Sequence, residues 1–225
     1  MRFMSPDEMP RVFRTEFGHG PESAPAGGGL RRVDHVAETV TYDEMLSSVL
    51  FYRTIFGMEK APLVDVVDPD GLVRSQAMQS ARGAFRTTIN GAEQHRTLAG
   101  SFITESFGAS IQHVAFATDD IFDTALRLTG RGLEPLPISE NYYIDLAARF
   151  DLPAAEIDRM RALGILYDED EAGRFFQLYS RPLFGGFFAE IVQREGTYEG
   201  YGAANSPFRI AALKRLMRSP GMPRK

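Results

Sequence analysis

The sequence predicts an α+β protein built from two similar strand–helix–strands modules that share one site. Three observations predict it. The words "VDHVA" at 33–37 and "IQHVA" at 111–115 are nearly the same and lie 78 residues apart. Each is followed by a stretch with helical spacing, and each of those by short apolar runs set off by turn signals. A unit of this length, present twice, reads as two packed modules rather than as a solenoid.

The elements follow in order. Residues 1–30 read as a linker-like segment, because "GHGPESAPAGGG" at 18–29 has too few apolar side chains to order itself. A linker in that place hints that the polypeptide corresponds to the C-terminal part of a longer architecture. Residues 33–40 form the first strand. In "YDEMLSSVLFYRTIFG" (42–57), Met45, Val49, Tyr52 and Phe56 fall at i, i+4, i+7 and i+11, one face of a helix. Thr41 or Asp43 caps that helix and Gly57 ends it. "LVDVV", "LVRSQAMQS" and "AFRTTIN" are strands, separated by the turns "DPDG" and "ARG". The second module opens with the strand "SIQHVAFAT" (110–118). Its helix is "DDIFDTALRLTGRG", capped by Asp119 or Asp120 and stopped at Gly130 or Gly132. An inserted helical region (141–164) follows. "YDEDEAG" reads as a turn before two strands, "RFFQLYS" (174–180) and "GFFAEIVQR" (186–194). Residues 211–225 read as a basic, solvated tail.

Composition narrows the function. The chain of 225 residues, 44% hydrophobic and 24% charged, has the make-up of an ordinary globular protein. A net charge of −5, with the basic residues scattered, gives no footprint for nucleic acid. The absence of cysteine excludes disulfide scaffolds, zinc–thiolate sites and cysteine nucleophiles, and suits a reducing cytoplasm. No apolar run approaches the roughly 20 residues a membrane helix needs, and the first residues lack a signal-peptide core. The expected location is cytoplasmic, with no membrane partner.

Alternate residues of a strand share a face. Val33, His35 and Ala37 therefore line up, as do Ile111, His113 and Ala115, and Phe188, Glu190 and Val192. A glutamate in the middle of an apolar strand is costly unless something balances its charge. His35, His113 and Glu190, spaced 78 and 77 apart, supply two imidazoles and a carboxylate. That is the donor set of the 2-His-1-carboxylate triad, which leaves positions open on Fe(II). A lone histidine on an apolar strand is more often a core residue; two at equivalent places of a repeat point to a shared metal. His19, in the linker, and His95, in a polar loop, read as incidental.

The motifs "DHVA", "QHVAFATDDIF", "NYYIDL", "LGILYDEDEAGRFFQLYSRP" and "FFAEIVQREG", followed by "GYGAAN", resemble the C-terminal half of 4-hydroxyphenylpyruvate dioxygenase. That family has the vicinal oxygen chelate fold, with paired βαβββ modules around one metal. The resemblance covers about residues 31–210, with modules at about 31–105 and 110–196 and a closing segment at 197–210. It implies that His35, His113 and Glu190 bind Fe(II), with Mn(II), Co(II) or Mg(II) as alternatives. It implies Gln177 as a catalytic residue beside the metal. Ser75 and Asn90 are implied as pocket residues, against the reading of polar residues at strand ends. Tyr179, Phe188, Tyr201 and Asn205 would bind or enclose a small aromatic or cyclic oxo acid.

The chain also departs from that family. Tyr201 and Ser206 stand where its closing motif has phenylalanine, as does Tyr179 on its strand. The glutamine before the second histidine strand has no counterpart in "RTLAGSFITESF", and the N-terminal modules are absent. "GGLRRVDHVA", "DPDGLVRSQAMQS", "NYYIDLAARFD" and "YEGYGAANSPFRIAA" are similar to the C-terminal dioxygenase-like domain of bacterial two-domain 3-dehydroshikimate dehydratases. There a linker joins the domain to an isomerase-like TIM barrel. The expected function is a non-haem Fe(II)-dependent dioxygenase of the 4-hydroxyphenylpyruvate dioxygenase family. The alternative is an accessory domain of a 3-dehydroshikimate dehydratase in quinate and shikimate catabolism, without dioxygenase activity of its own. An extradiol dioxygenase is a third reading, for which His95 is the only acid–base candidate. Self-association and a TIM-barrel dehydratase partner are left open.

Overall fold

The computed structural model describes Ser5, residues 7–18 and residues 27–217. A first helix, α1 (Met9–Phe17), precedes the modules. The first module runs β1 (Leu30–Thr41), α2 (Tyr42–Phe56), β2 (Glu59–Asp68), β3 (Gly71–Gln79) and β4 (Arg86–Ala92). A connecting helix, α3 (Leu98–Glu105), leads to the second module: β5 (Ser110–Thr118), α4 (Ile121–Thr129), α5 (Glu140–Arg149), α6 (Ala154–Leu163), β6 (Leu166–Asp170), β7 (Gly173–Tyr179) and β8 (Phe188–Gly196). The final helix is α7 (Ser206–Met217).

All eight strands share one mixed sheet, in the order β2-β3-β4-β1-β5-β8-β7-β6, which curls into a half-barrel. The wiring is the same in both halves. The first strand of each module runs parallel to the last, β1 with β4 and β5 with β8, and the other pairs are antiparallel. Parallel neighbours need a long crossover, and the helices between them supply it. The modules meet antiparallel along β1 and β5, at the centre of the sheet.

Each module has its own apolar core. Met45, Val49, Tyr52 and Phe56 of α2 pack with Val40, Met58, Met78 and Ile89, as their helical spacing predicts. At the start of α2 the Thr41 N–H and hydroxyl both donate to the Glu44 carboxylate, at 3.3 and 2.8 Å. The larger second core joins α4–α6 to β6–β8 through Ile121, Tyr142, Leu146, Met160, Tyr167 and Phe176. No helix among the described residues is long and apolar enough to cross a membrane.

The central strands depart from simple alternation at two places on β1, Arg31 and Asp34, and at one on β5. Val33 pairs with Phe116 and His35 with Ala115, so Asp34 is an extra, bulged residue on β1. Ala37 pairs with His113 and Glu38 with Ile111, which bulges Gln112 on β5. In both modules the residue before the histidine is therefore turned inward: Asp34 and Gln112 are buried, while Val33 and Ile111 are each 48% exposed. The expected inward face of Val33 and Ile111 is corrected on this ground.

Three other expectations are corrected, and one helix appears where no element was assigned. The acidic "LYDED" is strand β6, with Leu166 and Tyr167 buried and the charged residues at its exposed end. The stretch around "LAGSFITE" is helix α3, which starts where the Thr97 hydroxyl accepts from the Gly100 N–H and buries Ala99, Phe102 and Ile103. The linker-like 1–30 segment contains α1, with a proline in its first turn and left-handed Gly18 at its end. Residues 19–26, His19 among them, lie outside the described residues. The basic 211–225 tail is helical to Met217, because Ile210, Ala212 and Leu213 are buried and Lys214 pairs with Asp68 and Asp70. Residues 218–225 lie outside the described residues.

Candidate metal centre

Three neighbouring strands each contribute one side chain to the middle of the sheet. The Nε2 atoms of His35 and His113 both lie 3.3 Å from Oε2 of Glu190. All three residues are buried, and one ligand atom from each lies within 4.8 Å of the others. The imidazoles meet edge to face, 5.6 Å between ring centres. Burial alone would raise the Glu190 carboxyl, but its contacts with His113 and His35 hold it well below the usual carboxylate range. Burial pushes His113 down to about 4. His35 moves up instead, since its bonds to Asp34 and Glu190 outweigh the burial that would lower it.

The bulge explains the difference between the histidines. It brings the Asp34 carboxylate to 2.9 Å from Nδ1 of His35, which fixes the ring and leaves Nε2 facing Glu190. Nδ1 of His113 is buried with no hydrogen-bond partner, and its ring is held by stacking on Phe188 at 4.6 Å. Asp34 also accepts from Arg194 Nη2 at 2.9 Å and Nε at 3.0 Å, and from Arg86 Nη1 at 3.5 Å. Arg194 then donates to the carbonyls of Tyr198 and Gly200. The closing segment is thereby tied to β1, and the Tyr201 ring sits 5.1 Å from the His35 ring.

A second chain of bonds reaches Glu190 from behind. Gln177 Nε2 donates to Glu190 Oε1 at 2.8 Å and to the Tyr179 hydroxyl at 2.8 Å. Asn205 Nδ2 donates to Gln177 Oε1 at 2.7 Å, and the Tyr142 hydroxyl donates to Asn205 Oδ1 at 3.0 Å. Tyr142 in turn accepts from the Tyr167 N–H at 2.7 Å. Gly202 makes the close approach feasible. Its φ is +59°, and a Cβ there would meet Gln177 Oε1 at 2.1 Å.

A cavity of about 140 Å³ opens over the three ligands, between the sheet, α3 and α7. Of the residues expected at the site, His35, Ser75, Asn90, His113, Tyr179, Phe188, Glu190 and Tyr201 line it. Ser75 and Asn90 are direct partners across β3 and β4, which puts both hydroxyl and amide on one wall. Gln177 and Asn205 do not line the cavity. Both are fully buried and stand in a supporting position behind Glu190. Exposed His95 stands in the loop before α3 and does not line the cavity. Sequence reasoning missed Asp34, Arg194, Gln112 and Arg209. Asp34 and Gln112 each precede a site histidine, and Arg209 stands beside Ile210, Leu213 and Met217 on one helix face, but only the register reveals the bulges at Asp34 and Gln112.

The donor set fits a hard or borderline divalent cation. Two ligands about 2.1 Å from one ion and at right angles stand about 3 Å apart, close to the two 3.3 Å separations here. His35 Nδ1 and Glu190 Oε1 are taken up by Asp34 and Gln177, which orients the other nitrogen and oxygen toward a shared point.

Comparison with known proteins finds relatives of this chain. The family model for the Glyoxalase/Bleomycin resistance protein/Dioxygenase superfamily matches residues 32–171. A 3-dehydroshikimate dehydratase of Pseudomonas putida is 39% identical over 194 residues, which are 86% of this chain and 31% of that protein. A 4-hydroxyphenylpyruvate dioxygenase of Legionella pneumophila is 28% identical, over 93% of this chain and 61% of that one. Among solved structures, a xylose isomerase-like TIM barrel/4-hydroxyphenylpyruvate dioxygenase fusion protein superposes with a TM-score of 0.75 and 36% identity, covering 89% of this chain and 32% of the fusion. The chain thus spans about a third of the length of the dehydratase and of the fusion.

Proposed function

The chain belongs to the glyoxalase/bleomycin resistance protein/dioxygenase superfamily, and on that premise we propose that it is a metal-dependent dioxygenase module of the 4-hydroxyphenylpyruvate dioxygenase type. Its substrate would be a small aromatic or cyclic oxo acid. The observation that carries this reading is the meeting of two imidazole Nε2 atoms on one Glu190 oxygen beneath a cavity. Fe(II) held by His35, His113 and Glu190 would supply open coordination positions, Lewis acidity and one-electron chemistry toward O2.

The chain's own residues do the rest. Asp34 holds the Nδ1 side of His35, Gln177 holds one oxygen of Glu190 and Phe188 stacks on His113, so the three ligands are set before any ion arrives. Phe188 and Tyr179 wall the cavity, and Ser75 and Asn90 offer it neutral hydrogen-bonding groups. Tyr201, anchored through Arg194, covers His35 and excludes water. The Tyr179 hydroxyl accepts from Gln177, so this departure from phenylalanine joins the supporting network.

A second reading is favoured by the dehydratase relative, of which the chain spans 31%. The domain would then serve a dehydratase barrel, in the same polypeptide or as a separate partner. Oxygen uptake separates the two. Protein loaded anaerobically with Fe(II) is given 4-hydroxyphenylpyruvate, with His113→Ala as control. Uptake that begins with substrate and is lost in the variant is the expected result. One bound metal per chain with no uptake would reject the dioxygenase reading and favour the dehydratase-associated one.

A further inference from the structure

We propose that Arg209 is a recognition site for a carboxylate that the ligand carries beyond its metal-chelating end. The proposal rests on the metal reading above and adds to it the charge of the substrate. Ser206, Arg209, Ile210, Leu213 and Met217 of α7 all line the cavity, at the i, i+3, i+4, i+7 and i+11 positions of one helix face. Four of those places suit a cavity wall. A half-buried guanidinium among them gives up part of its hydration unless an anion replaces it.

No internal anion does so. Among the described residues, Arg209 makes no ion pair and no hydrogen bond to a carboxylate; its guanidinium lies over two aromatic rings. Its guanidinium carbon lies 5.2 Å from the Phe188 ring centre and 5.6 Å from that of Tyr179. Two of the other acidic groups around the cavity are paired elsewhere. Glu190 meets the two imidazoles and Gln177. Asp68 pairs with Lys214 and accepts from the Leu98 N–H. Glu105 is exposed on α3 and makes no ion pair with Arg209.

The position is also right for a ligand already bound at its other end. Phe188 stacks on His113 at 4.6 Å and carries the guanidinium at 5.2 Å, so one phenyl ring touches both the cation and a metal-ligating imidazole. A ligand that meets the three ligating residues at one end and lies along the Phe188 wall can present a carboxylate to Arg209 at the other. Stacking on two rings pre-orients the planar fork, which suits bidentate binding of a carboxylate. Ser206, one turn earlier on the same face, adds a hydroxyl.

The test uses two probes that differ by one carboxylate, catechol and 3,4-dihydroxybenzoate. Each is titrated by calorimetry into the Co(II)-loaded full chain under argon, as wild type, Arg209→Leu and Arg209→Lys. Urea unfolding of each variant confirms that it is folded. The expected result is that Arg209→Leu weakens 3,4-dihydroxybenzoate about tenfold or more and leaves catechol unchanged, with Arg209→Lys in between. Equal weakening of both probes, or of neither, overturns the proposal. Failure to take up Co(II) would count against the metal reading alone. The same paired titration of the metal-free chain then decides for Arg209: a carboxylate preference lost in Arg209→Leu keeps the proposal, and its absence overturns it.

Discussion

Replacing Asp34 by asparagine tests the support of the site most directly. The carboxylate is fully buried, and both its oxygens accept: Oδ1 from His35 and Arg194 Nη2, Oδ2 from Arg194 Nε and Arg86. Burial alone would raise its pKa, yet the bonds from His35 and Arg194 hold it well below the ordinary range. Asparagine keeps one acceptor oxygen and turns an NH2 group toward a guanidinium. The Arg194 side chain is only 12% exposed, so water does little to screen the loss. Breaking a buried pair from one side costs about 3 kcal/mol. With a urea slope of about 3 kcal/mol/M, the unfolding midpoint should fall by roughly 1 M. Metal affinity, measured by competition with a chromophoric chelator, should fall about 10- to 100-fold as His35 loses its fixed orientation. A midpoint within about 0.3 M of wild type, together with unchanged metal affinity, would refute the account of Asp34 as the anchor of His35.

Two further substitutions probe other parts of the molecule. Gly202→Ala should cost about 3 kcal/mol in urea unfolding: about 1 for a left-handed alanine and about 1 each for the Gln177 bonds to Glu190 and Asn205 that the new Cβ displaces. A loss below about 1 kcal/mol would mean that Gln177 has room to move. Glu38→Gln should change the pH dependence of stability. Half-burial raises the Glu38 carboxyl, with the Tyr52 hydroxyl bond opposing, so the folded state keeps its proton longer than the unfolded one. Wild-type stability relative to the variant should therefore decline as pH rises from about 4 through the folded-state pKa and then level off. A difference that stays flat over that window would count against the shift.

Much of this was legible in the sequence because the fold is written twice. The repeated histidine words placed β1 and β5, and the spacing of Met45, Val49, Tyr52 and Phe56 found the buried face of α2. Glu190 stood out as a charge in an apolar strand. The misses have physical causes. The run "LYDED" looks like a turn because its charges sit at the solvent end of an edge strand, and only Leu166 and Tyr167 carry its packing. The bulges at Asp34 and Gln112 leave no compositional mark, since they are a matter of pairing between strands far apart in sequence. Resemblance placed Gln177 and Asn205 near the metal but could not say from which side. Their burial behind Glu190 depends on how the closing segment folds back over β7. Arg209 drew no notice because one arginine on a helix is ordinary until the wall it faces is known.

The seam between β1 and β5 has a consequence for how the protein reaches its working form. Each module can pair its first strand with its last without help from the other. Yet the second module brings only His113 and Glu190, and the first brings only His35. A chain with one half formed holds an incomplete claw, and the third donor arrives only when strands about 78 residues apart zip together. Contacts this distant in sequence are slow to form. Completion of the claw would then mark the last stage of folding, and a chain caught before it would have two sound halves and no centre.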